Sequence, residues 1–414
     1  MATYDNRAYG VLGAMRIALL SREYPPEVYG GAGVHVQHLA ASLSSLVDVE
    51  VHCFGAERPS DPRLKTFAYR PWDKIEDGAG GLGPLGVMSA DLAMASALGR
   101  VDIVHSHTWY TNLAGHLTKL LYGVPHILTV HSLEPKRPWK AEQLGRGYLV
   151  SSWCERVGVE SADAVIAVSH AAARDICDCY PAVDSSRIDV IHNGVDPAEF
   201  RPDPSVEVLE HYGIDPCRPI VLCVGRITHQ KGIGHLVAAA DEIEPRAQIV
   251  LRVGEADTPA LALEIGRRIA DLKARREGVV WIDKTVDRRS LVGLLSAATV
   301  ACYPSIYEPF GLVNLEAMAC ETAVVASAVG GVPEVIENGF TGVLVSFEPK
   351  SATDPDPADP RKFAHDLAAA VNDLIGNPNL AQKMGQSGRR RVIEEFSWSA
   401  VAAKTVSLYS KWAR

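Results

Sequence analysis

The stretch VACYPSIYEPFGLVNLEAMACETAVVAS, residues 300–327, reads as a strand, a loop, a helix and a second strand. Val300–Pro304 is a short apolar run, a helix is expected to begin near Gly311 or Leu312, and Ala323–Ala326 is short and apolar again. Strands covered on both faces read as continuous apolar runs, and the repeat of strand, crossover helix and parallel strand builds a parallel sheet. Within this unit Glu308 falls in the loop at the sheet edge. Glu316 falls about one turn into the helix, with its carboxylate leaning back toward the helix start.

The same alternation fills the rest of the chain. Further strands are expected in the first half at Arg16–Leu20, Val49–Phe54, Asp102–Ser106, His126–His131 and Ala164–Ser169. In the second half they are expected at Ile220–Gly225, Gln248–Gly254, Val279–Asp283 and Gly342–Ser346. Val36, Leu39, Ala40, Leu43 and Leu46 recur at helical spacing between the first two strands. The chain has 414 residues, more than the roughly 250–300 at which one core stops growing, so two doubly wound α/β domains are expected. The turn-rich NGVDPAEFRPDPS places their boundary near Val195–Pro219. Phe347–Pro360, with its DPDPADP run, reads as a solvated loop, and the pattern is helical from Arg361 onward.

With 47% hydrophobic and 22% charged residues the composition is that of a globular protein, and the net charge of −9 argues against nucleic acid or anionic membrane as partners. No apolar run reaches membrane-spanning length and no basic-then-apolar leader is evident, so a cytoplasmic location is expected. Residues 1–14 precede the first strand; Met15 as the natural start and a disordered leader both stay open. The eight cysteines show no paired CxxC spacing of a zinc site and read as reduced core thiols. Cys177 and Cys179 form a lone CxC, which reads as one helix face rather than as a metal or redox site.

In open α/β sheets ligands bind beyond the carboxyl ends of strands, where helix starts offer unpaired N–H groups to phosphate. Three junctions suit that chemistry. Tyr29-Gly30-Gly31-Ala32-Gly33 follows the first strand, and glycines let a backbone approach a phosphate closely, although a tight turn needs the same residues. Gly225-Arg226-Ile227-Thr228-His229-Gln230-Lys231-Gly232 follows the first strand of the second half, with two cations suited to a diphosphate. In the third, the amides of Gly311, Leu312 and Val313 lie between Glu308 and Glu316. Two carboxylates flanking an anion site suit hydroxyl recognition, one for a sugar and one for a ribose.

Together, Glu308-x7-Glu316, the Arg226 and Lys231 pair and the loop at 30–33 resemble family 4 glycosyltransferases, over nearly the whole chain. SREYPPEVYGGAGVHV (21–36), HSHTWY (105–110), TVHSLEPKRPWK (129–140) and YEPFGLVNLEAMACETAVVAS (307–327) resemble the actinobacterial glycogen synthase-like branch, whose members make α-maltose 1-phosphate from ADP-glucose and glucose 1-phosphate. The resemblance implies the α/β GT-B fold, two Rossmann-like doubly wound parallel-sheet domains facing across a cleft. It places an acceptor-side domain at 15–196, a nucleotide-sugar-binding domain at 197–396, and a last helix at about 397–414 crossing back to the first.

By the same resemblance, Arg226 and Lys231 would stabilise the leaving diphosphate, Glu308 would bind donor-sugar hydroxyls and Glu316 the ribose. His131 would lie beside the donor sugar's C6 hydroxyl. Gly30, Gly31 and Gly33 would meet the distal phosphate, helped by Gly311, Leu312 and Val313. The matched motifs contain no carboxylate nucleophile, so transfer with retention is expected on one face of the sugar, with no metal and no cofactor. Classical bacterial starch and glycogen synthases carry Lys-x-Gly-Gly and His-Asp-Trp where this chain has Val28-Tyr29-Gly30-Gly31 and His107-Thr108-Trp109. These departures favour a small acceptor. Lys136, Arg137 and Lys140 are the candidates for its phosphate, with His107 and Thr108 beside them.

Three alternatives stay open. One is elongation of an α-1,4-glucan from ADP- or UDP-glucose, as a glycogen synthase does. Another is a transferase with a different donor or acceptor. The last is an NAD-dependent oxidoreductase, which the missing close GxGxxG spacing disfavours. A homodimer is left open.

Overall fold

The computed structural model describes residues 15–58, 62–73, 75, 83–351 and 354–413. The leader at 1–14 and residues 352–353 of the acidic loop lie outside them.

The chain divides into two compact units. The first takes the described residues through Asn193 together with those from Trp398 onward, and the second takes Gly194–Ser397. In the first unit the strands are β1 (Arg16–Ser21), β2 (Asp48–Phe54), β3 (Leu64–Tyr69), β4 (Ile103–His107), β5 (His126–Val130), β6 (Ala164–Ala167) and β7 (Ile188–Val190). They form one sheet in the order β3-β2-β1-β4-β5-β6-β7. The second unit has β8 (Ile220–Arg226), β9 (Gln248–Gly254), β10 (Val279–Ile282), β11 (Val300–Tyr303), β12 (Ala323–Ser327) and β13 (Gly342–Val345), in the order β10-β9-β8-β11-β12-β13. Every pairing within both sheets is parallel.

In each sheet the strand order reverses once, between β1 and β4 and between β8 and β11. The crevice beyond the carboxyl ends of those strands is where this architecture binds ligands. The glycine loop follows β1 and His107 ends β4; Arg226 ends β8 and Glu308 follows β11. Topology alone therefore delivers the chemistry-bearing residues of each unit to its switch point.

β3 and β7 were not expected from the sequence. Both are edge strands: β3 alternates exposed and half-buried residues, and the three residues of β7 are all half-buried. An edge strand need not carry the continuous apolar run that marks a central one. The remaining strands lie within a residue or two of their expected ends. Leu46, expected on the first helix, lies past its end, because that helix runs Gly31–Leu43.

Trp398, Val401, Ala402, Val406 and Tyr409 of the last helix, Trp398–Tyr409, join Ile17, Val36, Leu39 and Ile103 in the first unit's core. In the second unit, Leu236, Ile249, Ile269, Val300, Val325 and Leu367 line one core. At about 25 cal/mol per Å² of apolar surface, such fully buried side chains are the main stabilising term of each unit. Among the described residues no helix is long and apolar enough to cross a membrane. All eight cysteines are free thiols. Five are buried, Cys177 and Cys179 are half-buried, and Cys217 is exposed rather than inside the core.

Candidate active site

In the second unit the turn after β8 is held by Thr228, whose hydroxyl accepts the Lys231 N–H at 3.3 Å and caps a single 3-10 turn, His229–Lys231. Gly232 then takes φ of 60°. A Cβ there would collide with the carbonyl oxygen of Pro304, just past β11. Only glycine lets the two strand ends press together so closely, and Ile306 N–H donates to Gln230 O at 2.9 Å across that contact.

This closeness brings Lys231 to Glu308. Lys231 Nζ donates to Glu308 Oε2 at 2.5 Å, and Ser305 Oγ donates to the same oxygen at 3.2 Å. Arg226 Nη2 donates to Asp257 Oδ1 at 3.1 Å, while its Nε–H is buried with no hydrogen-bond partner. A buried guanidinium N–H left open costs on the order of 1–3 kcal/mol, which an anionic ligand would offset. Gly311 caps the helix Leu312–Ala319, so the N–H groups of Leu312 and Val313 have no acceptor inside it. Asn314 N–H already bonds Gly311 O at 3.0 Å.

Glu316 sits further along that helix with its side chain 14% exposed. Burial pushes its carboxyl up to about 7, against the pull of Arg288. Arg288 Nη1 lies 4.0 Å from Glu316 Oε1, and the guanidinium is fixed by Glu199 at 2.9 Å and by the Phe200 ring, 4.7 Å away.

In the first unit Gly30 caps the helix Gly31–Leu43 without a side-chain cap of its own. Glu23 serves that loop instead: its Oε2 accepts the Tyr29 N–H at 3.0 Å and the Gly30 N–H at 2.8 Å. A Cβ on Gly33 would fall 2.6 Å from Glu23 Oε2, so glycine is needed for the carboxylate to fit. The Gly30 amide is therefore occupied, and the amides of the first helical turn, Gly31 to Gly33, are those without a helical acceptor.

His107 and His131 stand at neighbouring strand ends, with His107 Nδ1 3.0 Å from His131 Nε2. His105 is held through Nδ1 by the Tyr409 hydroxyl at 2.6 Å and through Nε2 by Thr129 Oγ1 at 2.7 Å. Burial, with the neighbouring imidazoles adding to it, keeps His105, His107 and His131 far below the usual histidine range, so all three are neutral near pH 7. Thr108 has φ of 66°. For a β-branched residue that is a strained backbone, a kind that collects at functional sites.

The loop cations expected to meet a second phosphate have partners of their own. Lys136 Nζ pairs with Asp175 Oδ1 at 2.8 Å, Arg137 pairs with buried Glu134, and Lys140 Nζ donates to Gln143 Oε1 at 2.6 Å. The structure thus unites Lys231 with Glu308, and His107 with His131. It distributes Lys136, Arg137 and Lys140 over three separate partners. Glu23, Asp257, Ser305 and Arg288 complete these arrangements and were not singled out from the sequence. Asp and Glu near a phosphate loop leave no distinctive spacing, although Glu23 lies inside the quoted 21–36 segment.

Residues 29–199 match the family described as Glycosyltransferase Family 4, and residues 207–354 match Glycosyl transferases group 1. The chain is 52% identical over 402 residues to alpha-maltose-1-phosphate synthase of Mycolicibacterium smegmatis, covering 96% of this chain and 99% of that protein. It is 30% identical over 423 residues to glycogen synthase of Mycobacterium tuberculosis, covering 95% and 94%. The structure of sucrose-phosphate synthase from Thermosynechococcus elongatus superposes with a TM-score of 0.78 at 25% identity, over 96% of this chain and 98% of that one.

Proposed function

The chain belongs to glycosyltransferase family 4, with the two parallel-sheet α/β units of the GT-B fold, and from that membership we propose that it transfers glucose from ADP-glucose to glucose 1-phosphate with retention, forming α-maltose 1-phosphate. The observation that carries the donor half is the arrangement at the β8–β11 switch point. Arg226 has an unpartnered buried N–H there, and Lys231 and Glu308 are joined 2.5 Å apart. Arg226 and Lys231 neutralise the diphosphate as its bond to the anomeric carbon breaks, the moment at which its negative charge grows. Glu308, oriented by Lys231 and Ser305, accepts hydrogen bonds from the donor sugar's hydroxyls. Glu316 accepts those of the ribose, and the Leu312 and Val313 amides serve the phosphates.

Glu308 is committed to Lys231 and Ser305, which suits a binding role better than nucleophilic attack on the sugar. The acceptor oxygen therefore attacks the face that the diphosphate leaves, and the departing phosphate takes its proton. The positive charge this step needs comes from Arg226 and Lys231, so activity is expected to persist in EDTA. His131 serves the donor sugar's C6 hydroxyl. Support for the small acceptor comes from the 52% identity to the maltose-1-phosphate synthase, against 30% to the glycogen synthase. Lys136, Arg137 and Lys140 are assigned to the acceptor phosphate, with His107 and Thr108 beside it, and exchange of Asp175 or Glu134 for that phosphate would release the first two.

Steady-state kinetics test these assignments. Arg226→Ala and Lys231→Ala should each lower kcat by about 100- to 1,000-fold, the scale of a lost electrostatic donor. Lys136→Ala with Arg137→Ala should raise KM for glucose 1-phosphate far more than KM for the donor. Undiminished kcat in the first pair, or equal KM changes in the second, would remove the corresponding assignment.

A further inference from the structure

Three imidazoles in the first unit converge. His35 projects from the helix Gly31–Leu43, His107 ends β4, and His131 follows β5. One ring nitrogen of each lies within 4.8 Å of the other two. The ring centroids are 4.7 Å apart for His35 and His131, and 5.3 Å apart for each of the other two pairs.

The hydrogen bonds around the trio leave lone pairs open. Asn193 Oδ1 lies 2.8 Å from His35 Nδ1 and, being an acceptor, places the ring hydrogen on that nitrogen. His35 Nε2 is then an acceptor atom, buried and without a partner, and the ring nitrogen Nε2 of His107 is also buried without a partner. A carbonyl oxygen holding the far nitrogen of a histidine is the arrangement that orients imidazoles toward metal ions. Neighbouring His105 differs, because Tyr409 and Thr129 occupy both of its nitrogens.

We propose that His35, His107 and His131 form a binding site for a divalent transition-metal ion of the Zn²⁺ class, with a fourth position open to water. Three neutral nitrogens and no carboxylate select borderline ions such as Zn²⁺, Co²⁺ and Ni²⁺ over Mg²⁺ or Ca²⁺. Ligand nitrogens about 2.05 Å from a tetrahedral ion stand about 3.3 Å apart. His107 Nδ1 and His131 Nε2 already stand 3.0 Å apart, an ion would take the place of the proton they share, and ring rotations close the wider spacings. An ion there takes no part in transfer. An ion there would withhold His131 from the donor sugar, so Zn²⁺ should inhibit and EDTA should relieve the inhibition. That consequence rests on the role of His131 proposed above, whereas the site itself rests on ring geometry: binding without inhibition would remove that role and leave the site standing.

The test uses the full chain with Zn²⁺ and with Co²⁺ as a spectroscopic probe. The expected result is one Co²⁺ per chain with visible absorption, displaced by Zn²⁺. His35→Gln and His107→Gln should each weaken Zn²⁺ binding at least tenfold, and His365→Gln, an exposed histidine paired with Glu242 in the other unit, should not. X-ray absorption on the unaltered chain needs no variant to fold, and should show three imidazole nitrogens about 2.0–2.1 Å from zinc. Failure to bind one ion per chain, a shell containing sulfur, or full affinity in a correctly folded His35→Gln chain would overturn the proposal.

Discussion

At Glu316 two effects oppose each other, and burial wins. Withdrawal from water favours its neutral form, Arg288 at 4.0 Å favours the carboxylate, and the outcome is a carboxyl raised from 4.5 to about 7. The folded chain therefore keeps a proton that the unfolded chain releases between about 4.5 and 7. This group's contribution to stability falls as the pH climbs through that window. If Glu316 binds a ribose as an ionised acceptor, donor affinity should move the opposite way. The ionised fraction rises roughly tenfold from pH 6 to pH 8 for such a group. KM for the donor should fall severalfold over that range, and Glu316→Gln should abolish the dependence; an unchanged slope in the variant would detach the ribose role from this residue. Spacing in the sequence located Glu316 and Glu308, because both belong to one short motif. Arg288, Asp257 and Glu23 escaped notice because their partners lie 28, 31 and 6 to 7 residues away, with the connections made by the fold rather than by a pattern.

At the scale of elements, the turn after β8 does the positioning. Its 3-10 turn is capped by Thr228 and closed by Gly232 against the end of β11, which is what allows Lys231 to reach Glu308. Gly232→Ala combines a left-handed backbone with a collision against main chain that cannot step aside. It should destabilise the second unit by about 1–3 kcal/mol and lower kcat through a displaced Lys231. Thermal melting together with kinetics checks this, and a variant with the parent melting temperature and kcat would show that the turn is not what sets the site. The central strands of both sheets were legible as apolar runs because both of their faces are covered. The edge strands β3 and β7 were not, since half-buried residues alternate with exposed or half-buried ones and mimic loop composition. The last helix was legible as a helix, but its membership of the first unit was expected only from the family resemblance. That membership is made by Trp398, Val401 and Tyr409, far in sequence from the core they enter.

For the whole molecule, the same architecture occurs in both units: a parallel sheet whose order reverses once, with candidate site residues at the reversal. Such a plan can serve many donors and acceptors, so the choice among them belongs to side chains around the switch points. Lys136, Arg137 and Lys140 are held by Asp175, Glu134 and Gln143, so the proposed acceptor phosphate would have to take the place of the two carboxylates. What the protein makes decides among these readings. ADP-glucose, mixed with the protein and glucose 1-phosphate, should give a hexose disaccharide monophosphate by mass, with proton NMR showing a new α-1,4 linkage and the original α-phosphate retained. Glucose incorporation into glycogen alone, with no disaccharide phosphate from either ADP-glucose or UDP-glucose, would contradict the proposed transfer.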